Sequence, residues 1–152
     1  MIQVPDIAVY SPNNELQLIV EVKNKLGATP EWAANMRRNL LIHSVVPYSP
    51  YFLLALPDYF YLWKDPSATL ETRAPDYTAN SKLIWESYLG DSSQYLDTMS
   101  EYSLELMTKT WLYGLTNAEL TRETAPPHEA WLFNSGLYDA IKHGYVNAEA
   151  TV

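Results

Sequence analysis

The sequence predicts an α/β protein: a small mixed β-sheet with flanking helices over residues 1–65, and a mostly helical region over residues 66–152 packed on it as a single domain. Three observations predict this. Two neighbouring segments alternate apolar and polar residues with a period of two, the mark of half-buried strands. A helix with a clear start signal follows them. Beyond residue 80, apolar residues recur at spacings of three and four, the helical period.

The first strand is Ile7–Tyr10. Ser11-Pro12-Asn13-Asn14 reads as a turn, because Pro presets φ and Asn tolerates left-handed backbone. The second strand runs from Leu16 to Lys23. Thr29 is the expected N-cap of the next element, Pro30 suits the first helical position, and Glu31 suits the positive end of the dipole. Trp32, Met36, Leu40 and His43 form the expected apolar face of this helix, with His43 as a core histidine, and Pro47 and Pro50 end the segment. Tyr51–Leu56 and Tyr59–Trp63 read as two strands joined across Pro57-Asp58. Residues 66–77 read as a loop. A short helix over Leu83–Leu89 and a longer one from Leu96, stopped by Gly114, come next. Thr116 to Glu119 resembles a capping box, and Pro126-Pro127 opens a last helical region carrying Trp131, Leu132, Leu137 and Ile141.

Composition narrows the chemistry. The 152 residues include no cysteine, which excludes disulfide scaffolds, thiolate zinc sites and a cysteine nucleophile. With 5 glycines there is no glycine-rich phosphate loop. The longest apolar run, Phe52 to Leu56, is too short for a bilayer span, and Met1–Asp6 lacks the basic-then-apolar pattern of an export signal, so a cytoplasmic protein without membrane contact is expected. The net charge of -8 argues against a nonspecific nucleic-acid coat. That charge is uneven. In residues 1–45, Asp6, Glu15, Glu21 and Glu31 balance Lys23, Lys25, Arg37 and Arg38, so the whole excess lies in residues 46–152.

Strand parity points to one candidate site. In a hairpin that pairs Ile7 with Val20 and Val9 with Leu18, the apolar faces coincide, and Asp6 falls opposite Glu21. Directly opposite Cβ atoms lie about 4.5–5.5 Å apart, close enough for two carboxylates to share a hard cation such as Mg²⁺ or Mn²⁺. Lys23, two residues beyond Glu21, projects to the same face. A divalent ion there would relieve the repulsion between the carboxylates and make a site for phosphate, with Lys23 positioned to hold water or stabilise negative charge. Lys25, Arg37 and Arg38 form a small basic cluster able to touch a phosphate backbone. The same letters fit a plainer reading, in which Asp6 caps a turn and Glu21 and Lys23 sit on a solvated face.

Pro5-Asp6 followed by Glu21-Val22-Lys23 resembles the signature of the PD-(D/E)XK nuclease superfamily, the restriction-endonuclease-like fold. Pro-Asp occurs three times in the chain, but Glu21-Val22-Lys23 is its one acidic-x-Lys triplet and lies in its most strand-like segment. The resemblance covers roughly residues 5–64. It implies Asp6 and Glu21 as metal ligands, Lys23 as a catalytic residue, and a Mg²⁺-dependent phosphodiesterase acting on DNA, with homodimers a family habit. Only four residues precede Pro5, where the family places a helix and a strand. Those elements lie outside this chain, are replaced by its helical half, or come from a partner. The alternative function is a non-catalytic module on the same fold, acting in self-association or protein binding.

Overall fold

The structure, a computed structural model, describes residues 5–43, 49–64, 72–90, 96 and 98–147. Pro47 and residues 66–71 of the expected loop lie outside the described residues. The chain is a mixed α/β structure whose elements run β1 (Ile7–Tyr10), β2 (Leu16–Val22), α1 (Pro30–His43), β3 (Tyr51–Ala55), β4 (Tyr59–Lys64), β5 (Tyr77–Asn80), α2 (Lys82–Leu89), α3 (Glu101–Asn117), a 3-10 turn (Pro127–Glu129), α4 (Ala130–Asn134), α5 (Leu137–Ile141) and β6 (Tyr145–Asn147). The six strands form one sheet in the order β5-β4-β3-β2-β1-β6. Only β2 and β3 are parallel, because α1 carries the chain back between them; the other neighbours are antiparallel.

The β1–β2 hairpin has the expected register: Ile7 pairs with Val20 and Val9 with Leu18. A bulge between Val9 and Tyr10 then sets Tyr10 opposite Leu16. The turn closes as its residues dictate. Asn14 takes a left-handed φ of 67°, and the Ser11 N–H donates to the Glu15 carbonyl at 2.8 Å. Thr29 caps α1, its Oγ1 accepting from the Trp32 N–H at 3.1 Å. Ser100 does the same for α3 through the Ser103 N–H at 3.1 Å.

Helices cover both faces of the sheet, so β2, β3 and β4 are buried nearly throughout. On one face Ile7, Val9, Leu18, Val20, Leu53 and Leu62 meet α2 to α5. The centre of that layer is aromatic: Phe60 stacks on Trp111 with centroids 4.8 Å apart and meets Trp85 edge-on at 5.3 Å. On the other face Ala8, Ile19, Phe52, Leu54, Tyr61 and Trp63 meet α1.

Several expectations are corrected. The buried stripe of α1 is Ala33, Ala34, Arg37 and Leu40; of the expected face only Leu40 is buried, and Trp32, Met36 and His43 are not. Two alanines let the helix approach the sheet closely, and the helix is rotated so that Trp32 and Met36 are half-buried at its flanks and His43 is exposed. Gly114 does not stop α3, which continues to Asn117. A Cβ there would meet the Tyr88 hydroxyl of α2 at 3.6 Å, an ordinary van der Waals contact. Thr116 caps no new helix: it is buried inside α3, and Glu119 pairs with Lys142 and His143. The edge strands β5 and β6 add to the four expected strands. β6 is held by Gly144, where a Cβ would lie 1.9 Å from the Tyr10 carbonyl oxygen, so any side chain would force β1 and β6 apart. Among the described residues no helix is long and apolar enough to cross a membrane.

Candidate functional site

The candidate residues gather where β2 ends, at the carboxyl end of the sheet's one parallel pair. In open α/β sheets this end is where ligands bind, because loops diverge there and leave a crevice. The Lys23 N–H donates to the Ala55 carbonyl at 3.1 Å, the last rung between β2 and β3. The chain then departs, and the following loop is pinned to the β3–β4 turn by the Gly27 N–H, which donates to Asp58 Oδ2 at 2.9 Å.

Asp6 sits one residue before β1, one step beyond the Ile7–Val20 pair, and so beside Glu21. The two residues interlock. Asp6 Oδ2 accepts the Val22 N–H at 2.8 Å, and the Asp6 N–H donates to the Glu21 carboxylate. The two carboxyl groups are close enough for the charge of Asp6 to act on Glu21. Lys23 Nζ approaches Glu21 Oε1 at 3.6 Å, from the same side of the strand. The structure therefore brings Asp6, Glu21 and Lys23 together.

The electrostatics are those of two carboxyls crowded out of water. Glu21 is 2% exposed. Burial, then the charge of Asp6, raise its pKa from the ordinary 4.5 to about 7, while Lys23 pulls the other way. Burial also raises Asp6; the Val22 N–H and Lys23 oppose this, and Glu101 adds to it.

Glu101 and Glu105, which sequence reasoning did not single out, come to this end of the sheet on α3. Glu101 Oε1 accepts the Asn24 N–H at 3.0 Å, and the Asn24 side-chain amide donates to the Met99 carbonyl, which fixes the start of α3 against the end of β2. Glu105 lies near enough to Asp6 and Glu101 that their charges add to burial in raising its pKa, with Lys109 opposing. The only local signal for them is the i, i+4 spacing of two acids after the Ser100 cap, which says nothing about which surface the helix covers.

The three basic residues expected at a phosphate backbone are placed differently from one another. Lys25 is exposed on the loop after β2, its Nζ 5.3 Å over the Trp32 ring. Arg38 is exposed on α1. Arg37 is 3% exposed and turned toward the sheet, its guanidinium 5.6 Å from the Trp63 ring centroid. Among the described residues no three His, Asp or Glu side chains form a ready-made metal cage. Comparison with family models, curated proteins and solved structures gives no match.

Proposed function

We propose that this protein is a metal-dependent phosphodiesterase of the PD-(D/E)XK type, acting on DNA, with a restriction-endonuclease-like core formed by β1, β2, α1, β3 and β4. The observation that carries the reading is the meeting of Asp6, Glu21 and Lys23 at one strand end, with Glu21 buried against a second carboxyl group. Burying adjacent carboxylates is costly unless a cation or proton neutralises them. A hard divalent ion such as Mg²⁺ or Mn²⁺ fits that demand, and Asp6 and Glu21 are the residues that would hold it. When bound, such an ion supplies Lewis acidity toward a phosphoryl oxygen and lowers the pKa of water.

The chain's own residues have definable parts in this reading. The Val22 and Asp6 N–H groups orient the two carboxylates. Lys23 is anchored by its backbone to β3, with its ammonium beside Glu21, where it can stabilise charge developing on a phosphate or hold the attacking water. Lys25 and Arg38, both exposed, contact backbone phosphates in this reading. In this reading Glu101 and Glu105, on the start of α3 that is tied to Asn24, are further acidic residues beside the site.

The second reading is a non-catalytic module on the same fold. What favours it is that the described residues hold no preformed three-ligand cage. Incubating the protein with plasmid and oligonucleotide DNA in Mg²⁺ or Mn²⁺ decides between them. The enzyme reading expects cleavage that disappears in chelator and in Lys23→Ala; cleavage that survives in Lys23→Ala, or none with either metal, contradicts it.

A further inference from the structure

Helix α3 turns an apolar line to solvent. Its buried side is formed by Leu104, Thr108, Trp111, Leu112 and Leu115. With 3.6 residues per turn, the line opposite that side runs through Tyr102, Leu106 and Tyr113, with Lys109 at its margin. A helix lying on a core carries polar residues along that line, because water covers it. Here Tyr102, Leu106 and Tyr113 are 68%, 44% and 47% exposed, and Tyr102 is the most exposed large apolar side chain among the described residues.

The order of these residues says what fits them. Tyr102, Leu106, Lys109 and Tyr113 follow spacings of four, three and four, the seam through which two helices pack side by side. The seam reads alike from both ends about a point between Met107 and Thr108. Two α3 helices placed antiparallel about a two-fold axis at that point set each Tyr102 against the other copy's Tyr113. They also set each Lys109 against the other copy's Leu106, so that its aliphatic stem covers the leucine and its ammonium comes beside the neighbouring Glu105. The acids Glu101 and Glu105 lie in the first half of α3 and Lys109 in the second. Antiparallel packing therefore joins unlike charges and opposes the two helix dipoles, whereas parallel packing sets lysine on lysine and acids on acids.

We propose that the outward face of α3 is a docking surface for a second copy of this chain, packed antiparallel on the same face. A two-fold interface uses one patch twice, which is what a seam complementary to itself supplies. The seam is short: the 17 residues of α3 make about 25 Å of helix. One helix pair covers less than the roughly 800 Å² per partner of a standard interface, so monomer and dimer exchange reversibly with concentration. The proposal rests on neither reading of the function, and its failure leaves cation binding by Asp6 and Glu21 untouched.

Sedimentation equilibrium of the full chain over a range of concentrations at physiological ionic strength tests it, with circular dichroism to show that each variant is folded. We expect a monomer–dimer equilibrium weakened at least about tenfold by Leu106→Glu, a change at an exposed position. Lys109→Glu and Glu105→Lys should each weaken it, and the two together should restore it, a rescue that only direct pairing produces. The chain has no cysteine, so orientation is read by cross-linking: Tyr102→Cys mixed with Tyr113→Cys should form a disulfide faster than either variant with itself. A monomer at every concentration overturns the proposal. So does a dimer unchanged by Leu106→Glu, a charge exchange that restores nothing, or cross-linking fastest within one variant.

Discussion

Glu21 and Arg37 are both buried on the α1 side of the sheet, one an anion at the end of β2 and the other a cation in the middle of α1. Their company differs. Glu21 has Lys23 at 3.6 Å, the Asp6 N–H, and a second carboxyl pressing on it, so its surroundings respond to charge and are themselves titratable. Arg37 has an aromatic ring, a second arginine and an acid engaged elsewhere. Burial of a charge is therefore not itself a sign of chemistry. In the proposed function the Glu21 end supplies groups that can move protons and hold a hard cation, while the Arg37 end packs a guanidinium against an aromatic ring.

The largest effect expected from this contrast is on activity. Lys23→Ala should lower DNA cleavage by at least about 100-fold, the usual scale for losing a group that stabilises transition-state charge, whereas Arg37→Met should leave cleavage within a few-fold of wild type. A gel-based nicking assay reads both. Equal losses in the two variants would erase the distinction between the two ends.

Glu21 should also make stability fall as pH rises. Its pKa in the folded protein is about 7 against an ordinary 4.5, so between those values the folded state binds more protons than the unfolded state. The stabilising effect of the bound proton is complete below about pH 4.5 and is lost as pH rises through 7. Glu21→Gln, neutral at every pH, should flatten this slope and be more stable than wild type at pH 8 by a few kcal/mol, at roughly 1.4 kcal/mol per pK unit. Urea unfolding at pH 5 and pH 8, without divalent ions, measures it. A pH-independent difference between the two proteins would show that Glu21 does not titrate in this range.

Arg37→Met provides the opposite control. Replacing a buried charge whose Nε–H lacks an acceptor among the described residues by an apolar chain of similar length should change stability by no more than about 1–2 kcal/mol, since lost cation–π attraction is offset by relieved desolvation. A loss of several kcal/mol would mean that the guanidinium is fully satisfied. The smallest effect belongs to the cap that starts α1: Thr29→Ala should cost about 1 kcal/mol by freeing the Trp32 N–H, at both pH values alike.

The same contrast explains what could be read in advance. The β1–β2 register was legible because strand parity is binary: any slip of one residue puts Asp6 over the valine face, so the pairing of Ile7 with Val20 and the meeting of Asp6 with Glu21 follow from apolar spacing. The Thr29 cap was legible for a similar reason, a local hydrogen bond between near neighbours. The orientation of α1 was not. Its residues form no single strongly apolar stripe, and two alanines won the sheet-facing positions by their small size, taking Arg37 with them. β5 and β6 are short edge strands defined by their partners, with Gly144 meaningful only once Tyr10 is beside it. Glu101 and Glu105 join the site through the Asn24 contact, seventy-seven residues away in sequence from Glu101, which no local pattern encodes.

The central claim is that Asp6 and Glu21 jointly hold a divalent cation, and titration of Mn²⁺ followed by calorimetry at pH 7.5 tests it most directly. The account predicts one saturable site in the wild-type protein, weakened at least about tenfold, or 1.4 kcal/mol, in both Asp6→Asn and Glu21→Gln. Binding of unchanged affinity in the two variants, or no saturable binding in the wild type, would contradict it.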